Sequence, residues 1–149
     1  DTFDATPAID GFKMIETPDG VREARHAVAM HEYRKLFDYL PMRGLQVTER
    51  FFAGCHSDVG GVYSDNHVLS DLTLRWIAAP AVRAGLRLKT GCALPRDIDL
   101  ARAVMHDSVK LHPLTHAYGL IERIKRRIDQ RRIHPAMRGL LKRLTKCKP

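Results

Sequence analysis

The feature that most constrains the fold is an apolar stretch that runs directly into a polar, glycine-containing turn. Residues 47–54 (Val-Thr-Glu-Arg-Phe-Phe-Ala-Gly) are rich in β-branched and aromatic side chains, which favours a short strand. The segment Cys-His-Ser-Asp-Val-Gly-Gly follows at once, over residues 55–61. Open α/β sheets present their sites in this way, at the carboxyl ends of the strands. We therefore expect an α/β fold, with a few parallel strands flanked by helices and a site just after this strand.

The longest periodic stretch upstream of this strand predicts a helix over residues 17–40. Thr17 can act as its N-cap and Pro18 suits the first helical position, whereas Pro41 and Gly44 end it. Apolar residues recur at spacings of three and four, as on one buried helix face. This stripe comprises Val21, Ala24, Ala27, Met30, Tyr33, Phe37 and Leu40.

Shorter patterns predict the remaining elements. Ser70 can cap a helix that runs towards Pro80, with Asp71 near the positive end of the helix dipole and Leu69 able to contact Leu74. The other expectations are a short strand over 86–88, a helical turn or two over 98–104, a loop over 105–108, a helix over 118–133 and a last short helix over 137–144.

The charge of the chain is concentrated in its last segment. The net charge is +8, but residues 117–149 contain eleven Lys and Arg against two acidic residues, a net +9. Residues 1–116 therefore carry a net charge of only −1. We divide the chain into a near-neutral body, residues 1–116, and a basic tail, residues 117–149, and only the tail suggests an anionic partner.

The basic tail predicts an amphipathic helix with a cationic face. Such a helix can dock on an anionic membrane surface, with its apolar residues at the acyl boundary and its arginines at the headgroups. The alternative is a helix packed on the body with a solvated basic face. No aromatic residue follows Tyr118, so a platform for base stacking is missing and nucleic acid is not expected as a partner. The candidate membrane or anion contacts are Arg123, Arg126, Arg127 and Arg131.

Several classes of protein are excluded by what the sequence lacks. No apolar run approaches the roughly 18–20 residues of a transmembrane helix. The first residues do not resemble a signal peptide, so we expect synthesis in the cytoplasm. The cysteines Cys55, Cys92 and Cys147 form no C-x-x-C pair, which favours reduced thiols over a disulfide framework or a cysteine zinc site.

Two titratable side chains are candidates for acid–base chemistry. Asp58 follows the strand beside His56 and two glycines, Gly60 and Gly61, whose backbone freedom allows a sharp turn facing a cleft. His106, in a later loop, can act as a general base if its ring donates to a buried carboxylate. Considered alone, an Asp beside glycines is more often a turn former, and a single His is more often an ordinary polar residue.

Metal binding is a further interpretation of the histidine and aspartate clusters. Neither of two such clusters has the ligand spacing of a known metal site, so we expect no metal. The first contains His106, His112 and His116, and the second contains His56, Asp58, Asp65 and His67.

Four segments together resemble the signature of a known family. They are residues 51–63 (FFAGCHSDVGGVY), 69–78 (LSDLTLRWIA), 22–37 (REARHAVAMHEYRKLF) and 105–111 (MHDSVKL). Taken in their order along the chain, they resemble an α/β-hydrolase family first catalogued as a domain of unknown function, which includes the first class of type VI secretion lipase effectors, which are phospholipases. Segment 22–37 is similar to a helix of that family, and Asp1-Thr2 resembles the end of its Trp-Asp-Thr motif.

The resemblance implies a Ser–Asp–His hydrolase that acts on lipid esters, with phospholipids as the expected substrates. Asp58 matches the family's acid and His106 its general base, while His56, Gly60 and Gly61 match the loop that shapes the acid. No metal or organic cofactor is implied. The implied fold is the carboxyl-terminal part of an α/β-hydrolase core, and the implied destination is export as a secretion effector.

The sequence departs from that pattern mainly in its serines. Its serines are Ser57, Ser64, Ser70 and Ser108, and none lies in G-x-S-x-G, the strained turn that presents the nucleophile. We therefore expect the nucleophile on an N-terminal hydrolase segment or a second chain, and little esterase activity from these residues alone. The alternative is a non-catalytic remnant that acts as an interaction or anionic-surface-binding module. Smaller departures are Val62 in place of a third glycine and His31 at an acidic position.

Overall fold

The described residues form two pairs of parallel strands. The computed structural model describes residues 15–34, 37, 39–108 and 130–146. Strand β1 (Ile15–Glu16) pairs with β3 (Met42–Arg43), and β2 (Ala24–Ala29) pairs with β4 (Val47–Phe52). The longer pair runs in register from Ala24 opposite Val47 to Ala29 opposite Phe52. The described part is thus a small mixed α/β domain with parallel strands, and β4 lies where the sequence predicts it.

Helices accompany the strands in the described part of the chain. Helix α1 (His56–Gly60) follows β4 directly, α2 (Val68–Arg83) comes next, and α3 (Pro135–Lys146) closes the described chain. Short 3₁₀ turns lie at Leu100–Arg102 and Gln130–Arg132, which confirms the turn expected within 98–104. The last short helix is also confirmed, although it begins at Pro135. No helix in the described ranges is both long and apolar enough to span a bilayer.

The helix predicted over residues 17–40 is wrong. The middle of this segment is strand β2, which contains Ala24 and Ala27 of the predicted stripe, and residues 17–34 contain no helix. Residues 26–29 are buried without alternation, because a strand inside a parallel sheet is covered on both faces. Because such a strand needs no alternation of polar and apolar residues, its short, alanine-rich sequence also fits the spacing of a helix face. Pairing with β4 decides the conformation.

Helix α2 differs from its prediction at both ends. It begins at Val68, with His67 rather than Ser70 in the N-cap position, and the Ser70 hydroxyl donates to the His67 carbonyl at 2.9 Å. It also continues through Pro80 to Arg83. A proline at position 80 cannot donate to the Trp76 carbonyl, and the Arg25 guanidinium donates to that oxygen instead, at 3.1 Å. The strand predicted over 86–88 is absent, and these residues are exposed.

The apolar core lies between β4 and the helices. Phe52 is fully buried and its ring lies 5.4 Å from that of Trp76 on α2. Met137 of α3 is also fully buried, and its sulfur accepts the N–H of Ala53 at 3.2 Å. Ile133, just before α3, forms a parallel bridge with Phe51. These contacts fix the end of β4, from which the polar turn emerges. Residues 118–129 of the predicted tail helix lie outside the described residues.

Candidate active site

The turn between β4 and α1 depends on Gly54. This residue has φ of +103°, and a Cβ there would lie 2.5 Å from the Cβ of Asp58. Two reciprocal bonds fix the turn to the chain after β2: the His31 N–H donates to the Gly54 carbonyl at 2.9 Å, and the Gly54 N–H donates to His31 Nδ1 at 3.0 Å. Burial lowers the pKa of His31, despite the nearby Asp58 charge, which favours the neutral ring that this contact needs. Gly54 therefore permits the close approach of Asp58.

Asp58 is oriented by its own helix. It is the third residue of α1, and its Oδ2 accepts the N–H of Cys55 at 2.9 Å, a reciprocal cap at the helix start. The residue is only 4% exposed. This local hydrogen bond thus orients the carboxylate independently of distant residues.

His106 meets this carboxylate from 48 residues further along the chain. Its Nδ1 lies 2.6 Å from Asp58 Oδ1, and its backbone N–H donates to Asp58 Oδ2 at 3.0 Å. The contact through both backbone and ring fixes the imidazole plane as well as its position. The two residues that the sequence selects as acid and base therefore lie in direct contact.

The opposite side of the imidazole meets two further residues. His106 Nε2 lies 3.0 Å from Oδ2 of Asp65, whose side chain is 63% exposed. The ring of Tyr63 stacks on the imidazole at 3.8 Å between centroids, and its hydroxyl lies 3.6 Å from Cys55 Sγ. Stacking prevents the imidazole from tilting, whereas the exposed Asp65 can rotate away.

The electrostatic surroundings favour a protonated imidazole. Burial would lower the pKa of His106, but its hydrogen bonds to Asp58 and Asp65 outweigh burial and raise that pKa. In return, the hydrogen bond from His106 lowers the pKa of Asp65. With a carboxylate at each ring nitrogen, both N–H groups donate. The arrangement can hold a proton on Nε2, and it can accept one there when Asp65 moves away.

Replacing Asp65 by Asn is expected to lower the pKa of His106, because one of the two anions that stabilise the imidazolium is lost. The raised pKa stabilises the fold fully below the ordinary histidine value of about 6.5, and this contribution disappears as the pH rises through the folded value. Asp65→Asn should therefore reduce the loss of stability on raising the pH. NMR titration of the His106 ring measures the pKa directly.

Asp19→Asn, which removes an exposed carboxylate from the start of the described chain, is the matched control. An unchanged His106 titration in Asp65→Asn, or an equal change in Asp19→Asn, would contradict the assignment.

The predicted supporting residues differ in what they contribute. Gly61 caps the C-terminus of α1 with φ of +81°, and a Cβ there would lie 3.2 Å from Ser70 Cβ. The His56 N–H donates to Glu32 Oε2 at 3.2 Å. A Cβ on Gly60 would meet open space, so nothing in the described surroundings requires glycine there.

The sequence reasoning missed four residues that shape the site. The position of Gly54 at the end of a strand is a signal that could have identified it, because a glycine there often lets two segments approach closely. The sequence brings out Asp65 only as a candidate metal ligand, and nothing in it distinguishes Glu32 or Tyr63, because the roles of all three depend on contacts between distant segments. Among the described residues, no group of three or more His, Cys, Asp or Glu is arranged to hold a metal. His112 and His116 lie outside the described residues, as do Arg123, Arg126 and Arg127, whereas Arg131 is described and exposed.

Comparison with known proteins identifies the family. A family model for the catalytic domain of type VI secretion system Tle1-like phospholipase effectors matches residues 3–80, more than half of the 149-residue chain. The matched region includes Asp58 and ends before His106. Uncharacterized protein YEL023C of Saccharomyces cerevisiae is 47% identical over 47 residues, which cover 29% of this chain but only 7% of that protein. No solved structure matches the chain. The extent of the family match shows that this chain belongs to the family of Tle1-like phospholipase effector catalytic domains.

Proposed function

We propose that this chain supplies the acid and the general base of a Ser–Asp–His lipid-ester hydrolase. The observation that carries the proposal is the 2.6 Å contact between His106 Nδ1 and Asp58 Oδ1, reinforced by the His106 backbone N–H. A buried carboxylate that accepts from Nδ1 holds the imidazole with Nε2 as its reactive nitrogen. The family description supports a phospholipid ester as substrate.

The reaction follows the order of an acyl transfer. A serine hydroxyl attacks the ester carbonyl while His106 Nε2 takes its proton, and the resulting imidazolium is stabilised by Asp58. The imidazolium then returns the proton to the departing alkoxide, leaving an acyl-serine. A water molecule repeats the sequence, releasing the fatty acid and the serine. Asp65 must leave Nε2 before the serine can use it, because both groups need the same nitrogen.

The serine of this mechanism is proposed to lie outside residues 1–149. Ser108 is buried and donates to Glu32, and Ser70 donates to a carbonyl at the start of α2. Ser57 lies within α1 and Ser64 is exposed in the following turn. None of the four lies in a strand–turn–helix nucleophile elbow. We propose that a segment with that elbow completes an α/β-hydrolase core of which this chain forms the carboxyl-terminal part.

Labelling with a fluorophosphonate tests the proposal, because this reagent modifies activated serines. We expect the full-length polypeptide that contains these residues to be labelled at a serine outside residues 1–149 and to hydrolyse phospholipid vesicles. The isolated 149-residue chain should do neither. Mass spectrometry of the labelled peptide identifies the serine. Labelling of Ser57, Ser64, Ser70 or Ser108 would overturn the placement of the nucleophile, and a full-length protein without labelling or hydrolysis would favour a non-catalytic remnant.

A further inference from the structure

A second buried carboxylate lies next to the Asp58–His106 pair and is not part of it. Glu32, shortly after β2, has no exposed surface, and its two oxygens accept five hydrogen bonds. Three of these come from Arg34: its backbone N–H and Nε at 2.9 Å to Oε1, and its Nη2 at 2.8 Å to Oε2. The Arg34 contacts satisfy the charge of Glu32 within its own segment.

The other two hydrogen bonds of Glu32 come from the segments that carry the acid and the base. The N–H of His56, two residues before Asp58, donates to Oε2 at 3.2 Å. The hydroxyl of Ser108, two residues after His106, donates to Oε1 at 3.1 Å. One carboxylate therefore joins the start of α1 to the loop of the imidazole. The Asp58 carboxylate joins the same two segments, through the N–H of Cys55 and through His106.

Glu32 is suited to this structural role by its ionisation. Burial would raise its pKa, but the hydrogen bonds and charge of Arg34, together with the His56 N–H, outweigh burial and lower the pKa. The carboxylate is therefore ionised across the neutral range and accepts from every donor around it. Ser108 is 1% exposed, so no water competes for its hydroxyl from the surface.

We propose that Glu32 is a positioning residue that, through Ser108 and the His56 N–H, holds the His106 loop against Asp58. The imidazole contact itself depends on the angle and distance at which α1 and the His106 loop meet. A shift of the His106 loop by about 1 Å would misalign Nε2 with a serine and cost about 100-fold in rate. The catalytic consequence rests on the proposed function, whereas the effect on the Asp58–His106 contact does not.

Ser108→Ala is the decisive variant, because it removes only the hydroxyl that ties the His106 loop to Glu32. In the isolated chain, NMR should show the His106 pKa shifted downward and its Nδ1 proton exchanging faster, because the contact with Asp58 is made for less of the time. In the full-length enzyme, kcat should fall about 10- to 100-fold with KM unchanged. Ser108→Thr retains a hydroxyl and should restore both readouts. Glu32→Gln should shift His106 in the same direction.

Ser70→Ala is the matched control, because it removes a serine hydroxyl that bonds only a carbonyl near α2. A folded Ser108→Ala protein whose His106 titration and kcat equal those of Ser70→Ala would overturn the proposal. If the His106 titration shifts but the full-length enzyme hydrolyses no ester even before mutation, the proposed function fails and the positioning role stands.

Discussion

Asp58→Asn is expected to lower ester hydrolysis by the full-length enzyme by about four orders of magnitude, the size known for an amide in place of a triad carboxylate. The hydrogen bonds around Asp58 explain why. Oδ2 accepts two backbone N–H groups, from Cys55 and His106, so the single oxygen of an asparagine would take that position. Its NH₂ group would then face Nδ1, which must become an acceptor. The ring proton moves to Nε2, and the base loses the lone pair that it needs.

The kinetics that test this result use purified full-length variants that retain the circular dichroism of the parent protein. His106→Ala should reduce the rate by a similar order, because it removes the proposed acceptor of the serine proton. Asp97→Asn alters an exposed loop carboxylate and should leave the rate unchanged. Turnover of Asp58→Asn within tenfold of the parent would remove Asp58 from the mechanism.

Gly54→Ala is expected to destabilise the fold by several kcal/mol. The φ of +103° is costly for any residue with a Cβ, at about 1–3 kcal/mol. The added methyl would also lie 2.5 Å from Asp58 Cβ and 2.7 Å from its Oδ2, and overpacking of this kind costs about 1–3 kcal/mol. Chemical denaturation measures the loss in the free energy of unfolding. The surviving folded fraction should show a weakened Asp58–His106 contact by NMR.

Gly60→Ala provides a control within the same turn. A Cβ at this position meets open space and the residue ends α1 without positive φ, so the change should be neutral or stabilising by up to about 1 kcal/mol. Equal destabilisation by the two substitutions would show that the turn tolerates no alanine at all. Equal tolerance would show that Gly54 does not set the approach of Asp58.

The sequence predicts the part of the site that lies within one short, contiguous segment. Strand β4 and the following polar turn are contiguous, so residue type alone placed Asp58 at a strand end. Pairing His106 with it required the family resemblance, because no local pattern joins residues so far apart. The sequence around β2 predicts a helix, but the segment forms a strand. Its stability comes from pairing with β4 rather than from its own alanine-rich sequence. The contacts that Glu32 and Asp65 make could not be predicted, because each acts through a residue that only folding brings near.

Asp58 has a structural role in addition to its proposed catalytic role. Its side chain caps a helix and anchors a distant loop through main-chain donors, and neither task requires an imidazole or a substrate. A descendant released from selection for hydrolysis would therefore still be selected to keep aspartate at position 58 for its architecture. The imidazole ring of His106 has no comparable structural role, because its hydrogen bonds go to side chains. In related proteins that have lost the activity, we therefore expect substitutions at position 106 to appear before substitutions at position 58.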